Sequence, residues 1–486
     1  MQKLIEKNIL LSEDSITLIQ KYPEEVALLL DHPELDVLVL NQQAVFKAKS
    51  LICDKERISS QDTSIEILQE YPEEIKKREI QDFVEYYNNR YNSLKKILIQ
   101  RPELQQSTSI SRIIAKPEGD QSVFIGMVQK KDITKNKNII LTLEDPTGSI
   151  KVLVNSNRQE LFLHAKEIVE DEVIGIIGTT GNKIVFANNI VWPEIHYSNE
   201  LKKCPEEVYV AFISDIQYGS RLFLKEEFQK FISWMKGETG NEKQKEIASK
   251  IKYLIIGGDL VDGIGIYPGQ EKELDVYDIY QQYNELANYL KQIPPHIKII
   301  ISPGNHDAVR LAEPQPKLPE DFAKPLYDLP NIIMTTNPSF FTLHKTQNFP
   351  GINILVYHGN SYIHYADVIE SIRSQGGVHR SDLIMKFLLK RRHLAPTHGS
   401  WQIIPDSRKD YLVIEKVPDL FFSGHLHVPI VANYRNVTMI SGSCWQAKTI
   451  LQEKYGVEPV PGRVQLVNLK TREVKVLKFY QEPTNE

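Results

Sequence analysis

Five apolar runs in the C-terminal part of the chain each end in a cluster of aspartate, asparagine or histidine. Val208–Ile213 leads into Ser214-Asp215-Ile216-Gln217, and Lys252–Ile256 into Gly257-Gly258-Asp259-Leu260-Val261-Asp262. Ile297–Ile301 leads into Pro303-Gly304-Asn305-His306-Asp307. Ile352–Tyr357 runs into His358-Gly359, and Leu420–Ser423 into Gly424-His425-Leu426-His427. Short runs that are apolar throughout are strands buried on both faces. With helical stretches between them, they predict an α/β two-sheet sandwich from about residue 205 to 486. Ligand-binding groups in such sheets sit on the loops at strand ends. Glycines beside these groups let the backbone turn tightly there.

Aspartate, asparagine and histidine together offer oxygen and imidazole donors. That mixture suits manganese, iron or zinc better than the all-oxygen cage of calcium. Two cations ~3.5–4 Å apart need a bridging carboxylate and several further ligands, and together they activate water and stabilise a phosphoryl group. His425-x-His427 puts one imidazole on each side of a turn, so the two can serve different cations. One such cluster alone would read as a turn or a satisfied histidine. Five in order at strand ends point to two-metal chemistry.

The rest of the 486 residues divides by texture. Residues 1–50 read as short helices, with Ser12-Glu13-Asp14 as a helix start, and resemble a small helical docking domain. Residues 51–105 read as a polar linker with one helix over Ile80–Gln100, ending before Pro102. Residues 106–198 hold five short alternating runs, Val123–Lys130, Asn138–Glu144, Ser149–Val154, Glu172–Thr179 and Lys183–Val191. Asp145-Pro146-Thr147-Gly148 and Thr180-Gly181-Asn182 supply the turns. Five such strands predict an OB-fold β-barrel. OB barrels often track single strands with basic and aromatic side chains. Lys130, Lys131, Lys135 and Lys137 cluster in the first long loop, whereas aromatics are few, so both DNA contact and a subunit-contact scaffold fit this barrel.

Lys+Arg number 58 and Asp+Glu 63, a formal net charge of −5, which excludes a globally basic nucleic-acid coat protein but not a local basic channel. The three cysteines, Cys53, Cys204 and Cys444, form no CxxC pair and support neither a disulfide framework nor a cysteine zinc site. Cys444 reads as a small buried residue rather than a nucleophile. No apolar run approaches the ~20 residues of a membrane span. The N-terminus MQKLIEKNILL lacks a signal-peptide core. The expectation is a soluble protein of a reducing, cytoplasmic compartment.

The order of these clusters resembles the calcineurin-like metallophosphoesterase superfamily. The stretches GGDLVDGIGIYPGQEKEL (257–274), SPGNHDAVRLAEPQPKLP (302–319), KRRHLAP (390–396) and DYLVIEKVPD (410–419) are similar to the small subunit of archaeal family D DNA polymerase. That resemblance implies a metal-dependent 3′–5′ proofreading exonuclease, with two divalent ions, Mn2+ foremost and Fe or Zn as alternatives. It implies a large catalytic polymerase subunit and DNA as partners, a sliding clamp reached through the holoenzyme, no membrane, and a nucleoid-associated cytoplasmic location. Carried over residue by residue, it assigns Asp215, Asp259 and His427 to the first metal, with Asp259 bridging, and Asn305, His358 and His425 to the second. His306 would stabilise or protonate the leaving oxygen, and Asp307 would orient His306.

The chain departs from that family at Gln217, where the family has a histidine ligand. An amide oxygen can coordinate but is a weaker donor than imidazole to these metals. The first reading is therefore a nuclease with a weakened first site. The alternative is a non-catalytic or weakly catalytic subunit that stabilises the large subunit. A phosphomonoesterase or cyclic-nucleotide diesterase on the same fold is a third reading, which the OB-like region and helical N-terminal segment disfavour. Lys130, Lys131, Arg310 and Arg391 are the candidate DNA contacts, against the plain reading of solvated charge. Asp262 reads as either a supporting or a purely structural group. His364, His379, His393 and His398 lack ligand-like spacing; of these, His393 in KRRHLAP is the one that would line the site.

Overall fold

The structure is a computed structural model that describes residues 64–73 and 76–481, with residues 10–11, 17 and 39–40. Leu10–Leu11 and Val39–Leu40 form a two-residue parallel pair. The helical docking segment read from residues 1–50 otherwise lies outside the described residues, as does Cys53.

Strand β1 (Glu66–Gln69) and helix α1 (Ile80–Leu98) come first. A closed barrel follows, built from β2 (Gln121–Ile133), β3 (Ile139–Asp145), β4 (Gly148–Val154), β5 (Val173–Gly181) and β6 (Ile184–Val191). Its order is β2-β3-β4-β6-β5, and β5 pairs back onto β2. Strands β4 and β6 run parallel while the other neighbours are antiparallel, giving an OB-like barrel. Its five strands fall on the five alternating runs, because each has an inward apolar face, begun in β2 by Phe124 and Val128. Phe124, Leu141, Leu143, Val152, Ile174, Ile176 and Val185 fill the interior.

The sandwich takes up the remainder of the chain. It comprises β7 (Tyr209–Ile213), α2 (Lys225–Met235), β8 (Ile251–Gly257), α3 (Ile279–Leu290), β9 (Lys298–Ser302), β10 (Ile332–Met334), β11 (Ser339–Leu343), β12 (Ile352–Val356), α4 (Ser381–Arg391), β13 (Leu420–Ser423), β14 (Ile430–Tyr434), β15 (Val437–Ser441), β16 (Arg463–Asn468) and β17 (Val474–Lys478). One sheet has the order β10-β9-β8-β7-β16-β17 and the other β14-β15-β13-β12-β11-β1. The central pairs β8–β9, β7–β8, β12–β13 and β13–β15 are parallel, so helices cover their outer faces. Phe212 of β7 and Phe422 of β13 stack across the sheets with ring centroids 4.5 Å apart. Helices α2 and α3 bury Phe228, Phe231, Tyr283 and Leu286 against the first sheet, and α4 buries Ile384, Leu388 and Leu389 against the second.

Two features depart from the sequence reading. The stretch 51–105, expected as a polar linker, supplies an edge strand: β1 pairs antiparallel with β11. Four residues, Glu66-Ile67-Leu68-Gln69, are too few to show a period, and an edge strand tolerates polar side chains. Arg391, expected on a solvated helix face, is buried. Its Nε lies 2.5 Å from Glu172 Oε2 and its Nη2 donates to the Glu167 carbonyl at 2.5 Å, with both charged side chains only 1% exposed. The pair joins α4 of the sandwich to the barrel, and periodicity cannot foresee such a neighbour.

Helix α1 is the third party at that junction. Asp82 in its first turn accepts from the Glu79 amide, and Lys95 and Lys96 sit in its last turn, both favourable for the helix dipole. Its buried face, Tyr91, Leu94 and Leu98, packs with Ile125, Val173 and Val191 of the barrel and with Val413. From the same face, buried Arg90 donates to Asp410 Oδ2 at 2.8 Å and to the Pro396 carbonyl at 2.6 Å. His393 Nε2 also lies 2.8 Å from Asp410 Oδ2, so His393 belongs to this junction and does not line the strand-end clusters.

Candidate metal centre

All five strand-end clusters meet at one end of the sandwich. Asp215 and Gln217 follow β7, Asp259 follows β8, Asn305 and His306 follow β9, His358 follows β12, and His425 and His427 follow β13. Parallel neighbours place these strand ends side by side, so residues distant in sequence converge without long loops. Asp215, Gln217, Asp259, His425 and His427 have left-handed backbones, with φ of 52°, 55°, 53°, 72° and 58°. That conformation costs an L residue roughly 1–2 kcal/mol. It is held by bonds between loops: Asp215 N–H donates to the Gly258 carbonyl at 2.9 Å, and Gln217 N–H to the Asp259 carbonyl at 3.1 Å.

Two glycines keep the approach open. A Cβ on Gly304 would lie 2.2 Å from Asp259 Oδ1, and one on Gly258 would lie 2.5 Å from His358 Nδ1. Both positions therefore require the absence of a side chain for the carboxylate and imidazole to stand where they do.

Asp259 is central. Its Oδ1 accepts from the His306 amide at 2.8 Å, and its Oδ2 accepts from Gln217 Nε2 at 3.0 Å and lies 3.4 Å from His358 Nε2. His358 Nδ1 lies 2.8 Å from the Gly257 carbonyl, which fixes the tautomer and turns Nε2 inward, 3.0 Å from Asn305 Oδ1. On the other side, Asp215 accepts the His425 amide at 3.0 Å, and its Oδ1 lies 3.4 Å from His427 Nε2. His427 Nδ1 is 2.7 Å from Gln452 Nε2. The ligand atoms of Asp259, His358 and His425 all lie within 4.8 Å of one another.

Burial opposes charge on His358, yet the adjacent Asp259 carboxylate prevails and raises its pKa to about 9. Burial, with His358 nearby, pushes His425 down to about 3, so its imidazole is neutral. The His425 Nε2 and Gln217 Oε1 atoms are buried and have no hydrogen-bond partner among the described residues. A buried acceptor left unpaired is costly. His425 Nε2, with the Asp259 carboxylate and the His358 imidazole, forms a donor set that fits a divalent cation.

Several expected residues sit elsewhere than their assigned roles require. Asp307 does not orient the His306 ring. Its carboxylate accepts from Gly304 N at 2.9 Å, Leu260 N at 3.2 Å and Tyr283 Oη at 3.1 Å, and so ties the β8 and β9 loops together. Burial, followed by repulsion from Asp259, pushes its pKa up to about 7. The His306 ring is instead anchored by the Asp262 carbonyl, 2.8 Å from Nδ1. Among the candidate DNA contacts, Arg391 is buried as described. Lys131 is held by the Lys166 and Ile168 carbonyls at 2.8 and 2.5 Å. Arg310 is bound to Glu73 at 2.6 Å and to the Pro314 carbonyl at 2.7 Å. Lys130 is exposed and pairs with Asp132 at 2.8 Å. Cys444 is buried and its Sγ donates to the Gln446 carbonyl at 3.3 Å, in keeping with the reading of a small buried residue. Sequence reasoning missed Gln452, Gln446 and Gln270, because a glutamine distant in sequence carries no signal until its loop is folded.

Comparison with known proteins follows the same outline. The calcineurin-like phosphoesterase family profile matches residues 208–429. A protein named DNA polymerase II small subunit from Methanothermobacter thermautotrophicus is 41% identical over 403 residues, 82% of this chain and 80% of that protein. The protein of the same name from Archaeoglobus fulgidus is 39% identical over 403 residues, 83% of this chain and 78% of that one. That from Methanocaldococcus jannaschii is 40% identical over 393 residues, 80% of this chain and 64% of that one.

Proposed function

The chain belongs to the DNA polymerase II small subunit family, and from that premise we propose that it is a metal-dependent 3′–5′ exonuclease working beside a large catalytic polymerase subunit on DNA. The observation that carries this reading is the convergence of Asp259, His358 and His425, with His425 Nε2 buried and unpaired among the described residues. Asp259 with His358, His425 and Asn305 would hold one divalent cation, and Asp215, His427, Gln217 and the shared Asp259 the other. When bound, such cations supply Lewis acidity to the phosphoryl group and lower the pKa of water.

The chain's own residues do the rest. His306 is more exposed than His358 and His427, with a side chain 18% exposed, and its Nε2 lies 4.0 Å from Asp259 Oδ2. With Nδ1 anchored, Nε2 is free to hold a proton for the departing 3′ oxygen as the phosphorus–oxygen bond breaks. Asp259 and Asp215 keep negative charge beneath the phosphate, which requires cations for a DNA backbone to approach at all.

The test is degradation of 3′-labelled single-stranded DNA in Mn2+, with and without the large subunit. Wild-type protein is expected to release nucleotides in a chelator-sensitive way, and His306→Ala to do so roughly 10²–10⁴-fold more slowly. No degradation by wild type under either condition would overturn the nuclease reading. It would leave an assembly subunit with a residual cation site, the second reading, which the Gln217 position favours.

Gln217 itself is testable. Its Nε2 occupies Asp259 Oδ2 while its Oε1 is unpaired. An imidazole in its place offers a better donor and releases that carboxylate oxygen. Gln217→His is expected to tighten Mn2+ binding about tenfold, or about 1.4 kcal/mol, with a faster nuclease, as read by calorimetric titration. Unchanged affinity would mean that position 217 does not touch the cation.

A further inference from the structure

We propose that Gln270 is a positioning residue for His306, acting through the backbone carbonyl of Asp262; the inference rests on the phosphodiesterase reading of the site. Among the described residues the His306 ring makes one hydrogen bond, from Nδ1 to the Asp262 carbonyl at 2.8 Å; the Asp262 carboxylate stands farther from the same nitrogen, at 3.9 Å. A carbonyl only accepts, so Nδ1 carries the proton and Nε2 is the nitrogen turned toward Asp259. Whatever fixes that carbonyl fixes the ring.

The carbonyl lies at the start of a loop with little regular structure. Gly263, Gly265 and Gly269 all have positive φ, and one short turn, Gln270–Lys272, interrupts it. Such a loop takes its shape from side chains. Gln270 is 1% exposed. Its Nε2 donates to the Asp262 carbonyl at 2.8 Å and lies 3.2 Å from Asp262 Oδ2, while its Oε1 accepts from the Ile266 amide at 2.9 Å. One amide thus closes the loop on itself and occupies the second lone pair of the carbonyl that holds His306. Gln446 Nε2, 3.1 Å from Asp262 Oδ1, braces the carboxylate from another loop. Gln282 grips Gly263 through both its amide and its carbonyl, at 3.0 and 3.2 Å. Gln270 alone of the three bonds to the anchoring carbonyl itself.

Without that amide the carbonyl loses one of two directional partners, and the imidazole its alignment. A misplacement of about 1 Å at a reacting group costs roughly 10²-fold in rate. The loss has a chemical signature. In DNA the leaving group is a 3′ alkoxide: from a ring protonated on both nitrogens, Nδ1–H stays on the Asp262 carbonyl while Nε2 gives its proton to that oxygen as the bond to phosphorus breaks and water, losing a proton to solvent, takes its place. In the p-nitrophenyl ester of thymidine 5′-monophosphate the leaving phenolate needs no proton. A residue that only stabilises the fold affects both substrates alike.

The experiment compares wild type, Gln270→Met, Gln270→Glu and His306→Ala in Mn2+, with the large subunit present, on an oligonucleotide and on the nitrophenyl ester. Both Gln270 variants are expected to lose roughly 10²-fold in kcat on DNA at unchanged KM, with the ester largely spared, as in His306→Ala. A Gln270→Met/His306→Ala double variant should be no slower than His306→Ala alone. Equal losses on both substrates, or none on DNA, would overturn the proposal. A second reading needs no turnover: histidine-selective 15N spectra of the free protein should show a bonded His306 Nδ1–H in wild type that is lost in both Gln270 variants. Its persistence would overturn the positioning role even in an inactive protein. Wild type inactive on both substrates, with the spectral change present, would count against the nuclease reading and leave the positioning role supported.

Discussion

Asp259→Asn is expected to abolish cation binding at the sandwich edge while leaving the fold intact. The substitution preserves shape and the Oδ1 bond from the His306 amide, and it replaces the charged Oδ2 by an amide nitrogen that no longer accepts from Gln217 Nε2. That charge is the shared element of the site: His358, Gln217 and His306 all point at it within 4.0 Å. Loss of a group that merely supports a ligand costs roughly 10–100-fold in metal affinity, and loss of a carboxylate proposed as a ligand itself should exceed this. Mn2+ titration by calorimetry measures it directly, and the proposed nuclease activity should vanish in parallel. A variant that binds Mn2+ as tightly as wild type would show that the cation does not sit on Asp259.

Arg391→Ala is expected to destabilise the protein by about 3–5 kcal/mol, because it leaves Glu172 charged, buried and without its cation. Burial already raises the Glu172 pKa, and the Arg391 guanidinium does most to oppose that rise. The urea midpoint should fall, and the barrel should become protease-sensitive at its junction with α4. Arg391→Met combined with Glu172→Leu should recover much of the loss, since a buried ion pair exchanged for apolar side chains is often neutral or better. If the single variant is as stable as wild type, the pair does not hold the barrel to the sandwich. This result would also separate a structural arginine from the DNA contact that its place in KRRHLAP invited.

The strand-end clusters were legible because buried parallel strands leave an unmistakable pattern, an apolar run followed at once by polar ligand residues. The barrel was legible for the same reason, through its alternation and turns. What the sequence concealed is pairing between distant loops. Arg391 and Arg310 look like surface charge until Glu172 and Glu73 are seen beside them. Asp307 looks like the partner of His306 because the two are adjacent, but successive residues in a turn point apart, and its partners come from Leu260, Gly304 and Tyr283. The edge strand β1 is too short to have a period at all.

The candidate ligands are divided between the layers of the sandwich. Asp215, Asp259 and Asn305 hang from strands of one sheet, and His358, His425 and His427 from strands of the other. A cation there is a rivet between two plates. Side chains packed as closely as Phe212 on Phe422 allow little slip, and a slide of one plate over the other would part the carboxylates from the imidazoles. The metal centre is therefore also a gauge of register. Whatever grips the outer helices of one sheet, α2 and α3, or of the other, α4, gains leverage over the chemistry without touching a single ligand.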